Sequence, residues 1–313
     1  MRTKAMYAEN TDVARMIAGR AKLAELSSLF SPGIEPPPPL SPSARRELRR
    51  KMFTETIPQT IVRMFKAARA AVMRDGLGGC FRAVELMLRE RAIGALGLPD
   101  AERALHSPDG LCGVAEDLSV ATMMDAYEKG LFPSSHLGPM KWWAPNSRAV
   151  VSPALLERRL ANVDSRGEIG ATVIFDRDFE EALCDEASDA PTPPRLKWAF
   201  ARLFDAGFAH SFDVVARSGE KIGSGFGVAV GRVFVVEGMR FQDAAAREAG
   251  LAAFARALDS RGFALIDAKR LTPELAGCGF DATPRVGYGL RLKALLGHEK
   301  IGRWSAPEWR EAA

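Results

Sequence analysis

HSFDVVARSGEKIGSGFGVAVGRVFVVEG, residues 210 to 238, is the stretch that decides the fold. Apolar and β-branched residues dominate HSFDVVA, GSGFGVAV and VFVVEG, and each run ends in a short Gly-containing segment, RSGEK and then GR. Turns that short reverse the chain on itself, so the spacing predicts three strands in an antiparallel meander. A helix is predicted next, from Asp243 to Asp259. Its Leu251, Phe254 and Leu258 recur at helical spacing and give it one apolar face. FALIDAK, 263–269, reads as a further strand of the same sheet, and one more helix is expected after Pro284. The fold class that follows is α+β, with a mostly antiparallel sheet.

Upstream of this core, Ser119 is placed to cap a helix through Asp125 and Glu128 that stops at Gly130. A loop-like run, GLFPSSHLGPMKWWAPNSR (130–148), then brings Trp142 and Trp143 side by side. ATVIF (171–175) reads as a strand, Asp176 to Ala187 as a helix, and Leu196 to Ala206 as another. Further toward the N-terminus, SPGIEPPPPLSPSARRELRRK (31–51) joins a polyproline run to a basic cluster and reads as a flexible linker. IPQTIVRMFKAARAAVMRDG repeats apolar residues at Ile57, Ile61, Met64 or Phe65, Ala68 and Val72, the pattern of an amphipathic helix ended by Gly76. A second helix, Phe81 to Ile93, is expected to pair with it. The predicted division is therefore a Pro-rich basic segment (1–51), a basic helical hairpin (52–95), a small N-terminal domain (96–150) and a catalytic domain (151–313).

Composition bounds the function. The 313 residues, 47% of them hydrophobic, can fill a sizeable core. No apolar run is long enough to span a bilayer and the N-terminus lacks a signal peptide's apolar stretch, so a cytoplasmic address with no membrane partner is expected. Cys80, Cys112, Cys184 and Cys278 are far apart with no CxxC spacing, which reads as reduced thiols. Charge is uneven: residues 1–95 hold 17 Lys and Arg against 9 Asp and Glu, while the remainder holds more acids than bases. A basic segment of this kind suits either a solvated face or contact with nucleic-acid phosphate.

Chemistry is sparser than scaffold. In ALIDAK, alternation sends Leu265, Asp267 and Lys269 to one face of the strand and Ile266 and Ala268 to the other. Charges on a buried strand are costly unless paired, so Asp267 and Lys269 form either a structural ion pair or an active-site dyad. Glu237 closes the strand VFVVE, and sheet ends often hold ligands. The apolar stripe of Leu251, Phe254 and Leu258 is core by default, though it could line a pocket ending beside Asp267. Phosphate-loop, dinucleotide, zinc-protease and nucleophile-elbow motifs are all missing from the sequence.

Seven segments in one order carry a resemblance: SPDGLCGVAEDLS (107–119), AYEKGLFP (126–133), KWWAPNSRAVVSP (141–153), GFAHSFDVV (207–215), GVAVGRVFVVEGM (227–239), GFALIDAK (262–269) and TPR (283–285). Together they are similar to the leucyl/phenylalanyl-tRNA–protein transferases. The strand and helix order also resembles an acyltransferase core of the GNAT type, with a small N-terminal domain and a helical extension. The resemblance implies transfer of leucine or phenylalanine from aminoacyl-tRNA to the N-terminal amine of proteins starting with Arg or Lys. It implies no cofactor, aminoacyl-tRNA serving as co-substrate, and a monomer. Carried over, Asp267 matches the acid that engages the acceptor amine and Glu237 the acid near the donor's aminoacyl end. Leu251, Phe254, Leu258 and Ile266 match positions lining the side-chain pocket. Trp142 and Trp143 match the paired tryptophans joining the two domains, where they either brace the junction or stack on the tRNA end. Lys269 stands where the family has glutamine, Ser134 where it has tryptophan, and Gly225, where it has methionine, is expected to widen the pocket. A desolvated Lys269 could itself act as a base. The alternative function is a diverged protein of the same fold, without tRNA-dependent activity, that binds a peptide amine or moves another acyl group.

Overall fold

The meander forms as the turns dictate, and the rest of the chain is arranged around it in a computed structural model. It describes residues 41–93, 97–134, 139–164, 170–184, 192–297, 302 and 304. The chain divides into two units, Met1–Glu47 and Leu48–Ala313, and the sheets, cores and site all belong to the second. In chain order, helices α1 (Pro42–Phe53) and α2 (Ile57–Ile93) precede β1 (Leu111–Val114), α3 (Val120–Glu128), β2 (Phe132–Ser134) and β3 (Lys141–Trp143). Then come β4 (Ser147–Val151), α4 (Pro153–Asp164), β5 (Thr172–Phe175), α5 (Phe179–Cys184) and α6 (Pro194–Asp205). The meander is β6 (Ala209–Val215), β7 (Lys221–Val230) and β8 (Val233–Phe241), followed by α7 (Ala244–Ser260), β9 (Leu265–Asp267), α8 (Pro273–Gly277), β10 (Asp281–Pro284) and α9 (Arg285–Leu295).

The large sheet has seven strands in the order β10-β4-β9-β8-β7-β6-β5. All neighbours are antiparallel except β8 and β9, which run parallel because α7 carries the chain back across the sheet between them. The β7–β8 turn is as short as a hairpin allows, Val230 facing Val233, and Gly231 takes a positive φ of 55° there. A Cβ on Gly231 would also collide with the backbone of Leu295, so the turn needs glycine twice over. Asp243 starts α7, its carboxylate accepting the Ala246 N–H at 2.8 Å. Pro194 starts α6, where a missing N–H costs nothing.

Apolar side chains fill both faces of this sheet. Against one face pack α4 and α7, with Phe212, Phe234 and Phe254 at the centre. Against the other pack α3, α5, α6 and the small sheet β1-β3-β2. Trp142 and Trp143 lie on β3, the middle strand of the small sheet, and are buried in that second core. Two large rings at the contact of two sheets bury much apolar area, which accounts for the pair as a brace.

Several expectations shift. The predicted domain boundary at 150 falls inside β4, which belongs to the large sheet. Residues 42–51 of the expected flexible linker lie in helix α1, and Arg49 of its basic cluster is buried, bound to Glu180 at 2.8 Å and to Asp205 at 2.6 Å. The rest of the Pro-rich segment, 1–40, lies outside the described residues. Gly76 does interrupt the basic helix, with φ 65° and ψ 175° inside α2. The apolar stripe before it does not pack as an amphipathic helix would: Ile57, Ile61, Met64, Phe65 and Val72 are all exposed. The expected helix from Asp176 starts only at Phe179. Asp176 has a positive φ of 57°, and its carboxylate instead accepts the Ser211 and Trp304 N–H groups and bonds His210.

Candidate functional site

The parallel pair β8–β9 is short. Val233, Phe234 and Val235 face Leu265, Ile266 and Asp267, after which β9 ends while β8 runs on to Phe241. Where the two strands part, β8 also bulges. Phe226 of β7 faces Gly238 but Gly227 faces Val236, so Glu237 is the extra residue. A bulge shifts the ladder without ending the strand. Glu237 lies on the same face as Val233 and Val235, toward α3, where the Tyr127 hydroxyl donates to Oε1 at 2.8 Å.

Asp267 points to the same face and is wholly buried. Its partner is Arg148 of β4, equally buried: Nε donates to Oδ1 at 3.2 Å and Nη2 to Oδ2. Arg148 also donates to the Gly130 carbonyl at 3.2 Å and lies over the rings of Tyr288 at 4.5 Å and Phe132 at 5.0 Å. Burial works against the guanidinium's charge, but the Asp267 carboxylate outweighs it and holds the Arg148 pKa above its ordinary value. The two tyrosines go the other way. Burial first, then Glu237, pushes the Tyr127 phenol well above its usual range, and burial with Asp267 does the same to Tyr288.

Lys269 does not continue β9. Its backbone is left-handed, with φ 65°, and its N–H donates to Asp267 Oδ1 at 2.8 Å. Strand alternation therefore stops applying before Lys269, and the expected Asp267–Lys269 side-chain pair is not the one formed. Lys269 Nζ instead crosses the gap between the parting strands to the Glu237 carbonyl at 2.8 Å and to Glu237 Oε2 at 3.1 Å. It also lies 5.1 Å from the Phe132 ring that Arg148 approaches at 5.0 Å. The Glu237 side chain is 4% exposed and that of Lys269 20%, so solvent meets the lysine and not the carboxylates. The result is two ion pairs, Arg148–Asp267 and Glu237–Lys269, with a phenol on one carboxylate and one aromatic ring that both cations approach.

The remaining sequence-predicted residues lie elsewhere. Leu251, Phe254, Leu258 and Ile266 are closed core on the opposite face of the sheet, where Phe254 stacks on Phe212 at 4.2 Å. Ile266 precedes Asp267 by one residue, and a one-residue step on a strand changes face. Gly225 is no widening, since an added Cβ would run into the Phe212 ring and the Gly238 carbonyl. Trp142 and Trp143 offer no ring face for a base to stack on, being 2% and 4% exposed, and the Trp143 indole N–H is engaged at 3.1 Å by the Ser134 carbonyl. Sequence reasoning missed Arg148 and Tyr127. A signal for the first existed: an arginine opening SRAVV, an otherwise apolar strand, needs a buried carboxylate partner. Among the described residues no group of three or more His, Cys, Asp and Glu is placed to hold a metal ion.

Fold and cluster together define an α+β protein whose polar site sits where the two parallel strands of a mostly antiparallel sheet diverge. Comparison with known proteins places that arrangement in a family. A profile described as leucyl/phenylalanyl-tRNA protein transferase matches residues 156–293, and one for that enzyme's N-terminal domain matches 116–146. The leucyl/phenylalanyl-tRNA–protein transferase of Thiobacillus denitrificans is 34% identical over 229 residues, covering 70% of this chain and 99% of the relative. That of Azotobacter vinelandii is 34% identical over 221 residues, 68% of this chain and 96% of the relative. That of Chromohalobacter salexigens is 36% identical over 200 residues, 62% of this chain and 78% of the relative. The chain belongs to the leucyl/phenylalanyl-tRNA–protein transferase family. Tyr127, Phe132, Glu237, Asp267 and Lys269 lie within the matched segments, and Arg148 lies between them.

Proposed function

We propose that this protein transfers a leucyl or phenylalanyl group from aminoacyl-tRNA to the N-terminal amine of an acceptor protein. The family relationship over nearly the whole length of its relatives supports the reaction, and the observation that carries it to a site is the ion-pair cluster at the β8–β9 divergence. In the reaction the acceptor's neutral amine attacks the ester carbonyl. A C–N bond forms, the C–O bond to the terminal ribose breaks, and the proton lost from nitrogen ends on the ribose oxygen. The ester is already activated, so holding amine and carbonyl together supplies much of the acceleration. Glu237, fixed by Tyr127 and Lys269, is the carboxylate nearest solvent and the group we assign to substrate positioning. Asp267, with both oxygens engaged by Arg148 and the Lys269 N–H, acts as a positioning residue that fixes Lys269. We read the large sheet and its helices, from β4 onward, as a GNAT-like catalytic domain on the strength of the meander, the α7 crossover and the parallel pair it creates.

The test is transfer of labelled leucine and phenylalanine from charged tRNA to peptides, by the native protein and by Glu237→Gln. Native transfer with a loss of roughly tenfold or more in Glu237→Gln is expected, as for a lost charge-assisted contact of about 1.5–3 kcal/mol. Equal turnover by the two proteins would remove Glu237 from the site. The acceptors we propose are proteins beginning with Arg or Lys, as the resemblance implies.

A further inference from the structure

The apolar stripe of α2 is taken up by neither core nor site. An amphipathic helix in a globular protein normally buries its apolar face. On α2 the small residues face inward instead: Ala67 is buried, and Ala83 and Leu86 pack against the core that holds Trp142 and Trp143. Ile57, Ile61, Met64, Phe65 and Val72, which share about 100° of helical arc, are exposed, Phe65 by 73%. Past Gly76 the pattern recurs, with Phe81, Val84 and Leu88 at i, i+3 and i+7, and these are exposed as well. Of the 13 large apolar side chains exposed among the described residues, 10 lie on this one helix. Singly scattered apolar residues are normal on a protein surface, whereas a continuous stripe marks an interaction site.

Cations accompany the stripe. Residues 57–93 hold 7 Lys and Arg against 3 Asp and Glu, and Lys66, Arg69 and Arg82 are exposed along with the apolar side chains. An apolar face edged by cations complements an anionic bilayer surface, where rings and aliphatic chains enter the acyl boundary and the cations meet lipid phosphate. A second copy seated on the same face would bring net positive charge against net positive charge. RNA would engage the cations and leave the apolar side chains in water. We propose that α2 holds this protein peripherally on membranes rich in anionic lipid. The inference goes beyond aminoacyl transfer and does not depend on it, since α2 precedes both family-matched segments, 116–146 and 156–293. The expectation of no membrane partner rested on spanning and signal segments, and a surface helix needs neither. Among the described residues no helix is long and apolar enough to cross a membrane.

The experiment co-sediments full-length protein with vesicles of phosphatidylcholine, either alone or with about a third of the lipid as phosphatidylglycerol, at two salt concentrations. The native protein is expected to bind the anionic vesicles roughly tenfold more tightly than the neutral ones, and less so at higher salt. Two double variants separate the contributions, Ile61→Ser with Phe65→Ser and Lys66→Glu with Arg69→Glu. All four positions are exposed, so melting temperature and transfer activity measured without lipid are expected to stay native. Each double variant is expected to lose anionic-vesicle binding by roughly tenfold or more. Failure of the native protein to bind anionic vesicles, or native-like binding by either double variant, overturns the proposal. A native dimer that Ile61→Ser with Phe65→Ser disperses, with vesicles left unbound, overturns it in favour of an interface between copies. Retention of tRNA that Lys66→Glu with Arg69→Glu abolishes, again with vesicles left unbound, overturns it in favour of RNA.

Discussion

Asp267 and Arg148 form the cluster's deepest bond, and what it is worth depends on which half is removed. Replacing a buried pair with apolar groups can cost little, but deleting one charge strands the other, typically at about 3–5 kcal/mol. Asp267→Asn should therefore lower the melting temperature by roughly 6–20 °C for a domain of this size, besides reducing transfer. A melt unchanged within error would show that Arg148 finds another anion. Tyr127 makes a second prediction, of pH dependence. Its phenol is raised well above the ordinary 10.0 by burial and then by Glu237, so the folded state holds the neutral form more strongly than the unfolded chain does. Stability from this source is fully present below pH 10.0 and is lost as pH rises above it. Tyr127→Phe, which keeps the ring and cannot ionise, should flatten the drop in melting temperature between about pH 8 and about pH 11. An equally steep drop in both proteins would assign the alkaline sensitivity elsewhere, Tyr288 being the next group with a raised phenol.

Among the elements, β7 shows how packing overrides an expectation drawn from residue type. A methionine at position 225 was expected to refill a widened pocket. In β7 that glycine lies against the Phe212 ring and the Gly238 carbonyl of β8, in a layer with no spare volume. Gly225→Met should accordingly destabilise, by about 1–3 kcal/mol or more as for other overpacked cores, rather than retune donor choice. Urea unfolding midpoints of native and variant protein measure it, and an undiminished midpoint with altered leucine-to-phenylalanine preference would restore the pocket. The same element-level logic explains the bulge. Alternation from Val233 and Val235 already puts Glu237 on the face that holds Tyr127, and the extra residue instead resets the pairing so that Gly238 faces Phe226.

Over the whole molecule, the N-terminal helices raise the question of what holds them. A charge count reads residues 45–51 as a solvated or phosphate-binding run, yet Arg49 is clamped between Glu180 of α5 and Asp205 of α6, and Phe53 packs edge-on to Trp198 at 5.3 Å. Removing residues 1–47 should leave the melting temperature within a few degrees, since the second unit begins at Leu48. Removing residues 1–95 strips Arg49 from Glu180 and should cost about 3–5 kcal/mol, roughly 6–20 °C in the melt. Differential scanning of the two truncations beside the full chain decides it, and equal melts would make α1 an appendage.

The sequence by itself determined the α+β class, the meander with its tight turns, the capped starts of α3 and α7 and the family. Each rests on signals within a few residues of one another: turn glycines, alternation, capping side chains and contiguous motifs. Glu237 and Asp267 were legible for the same reason, as acids at strand ends in quoted motifs. Only the tertiary structure decided how they are used. The partner of Asp267 lies 119 residues away and that of Glu237 at Tyr127 lies 110 away, separations across which no local pattern carries information. Alternation placed Lys269 beside Asp267, but the strand ends at Asp267, and one left-handed residue sends the ammonium to Glu237 instead. The apolar stripe of α7 was legible as a stripe, while its packing against Phe212, a ring on another strand, was not. Local propensity fixes elements and faces; which charges meet is fixed by packing, because a buried charge takes the counter-ion that the fold brings within bonding distance.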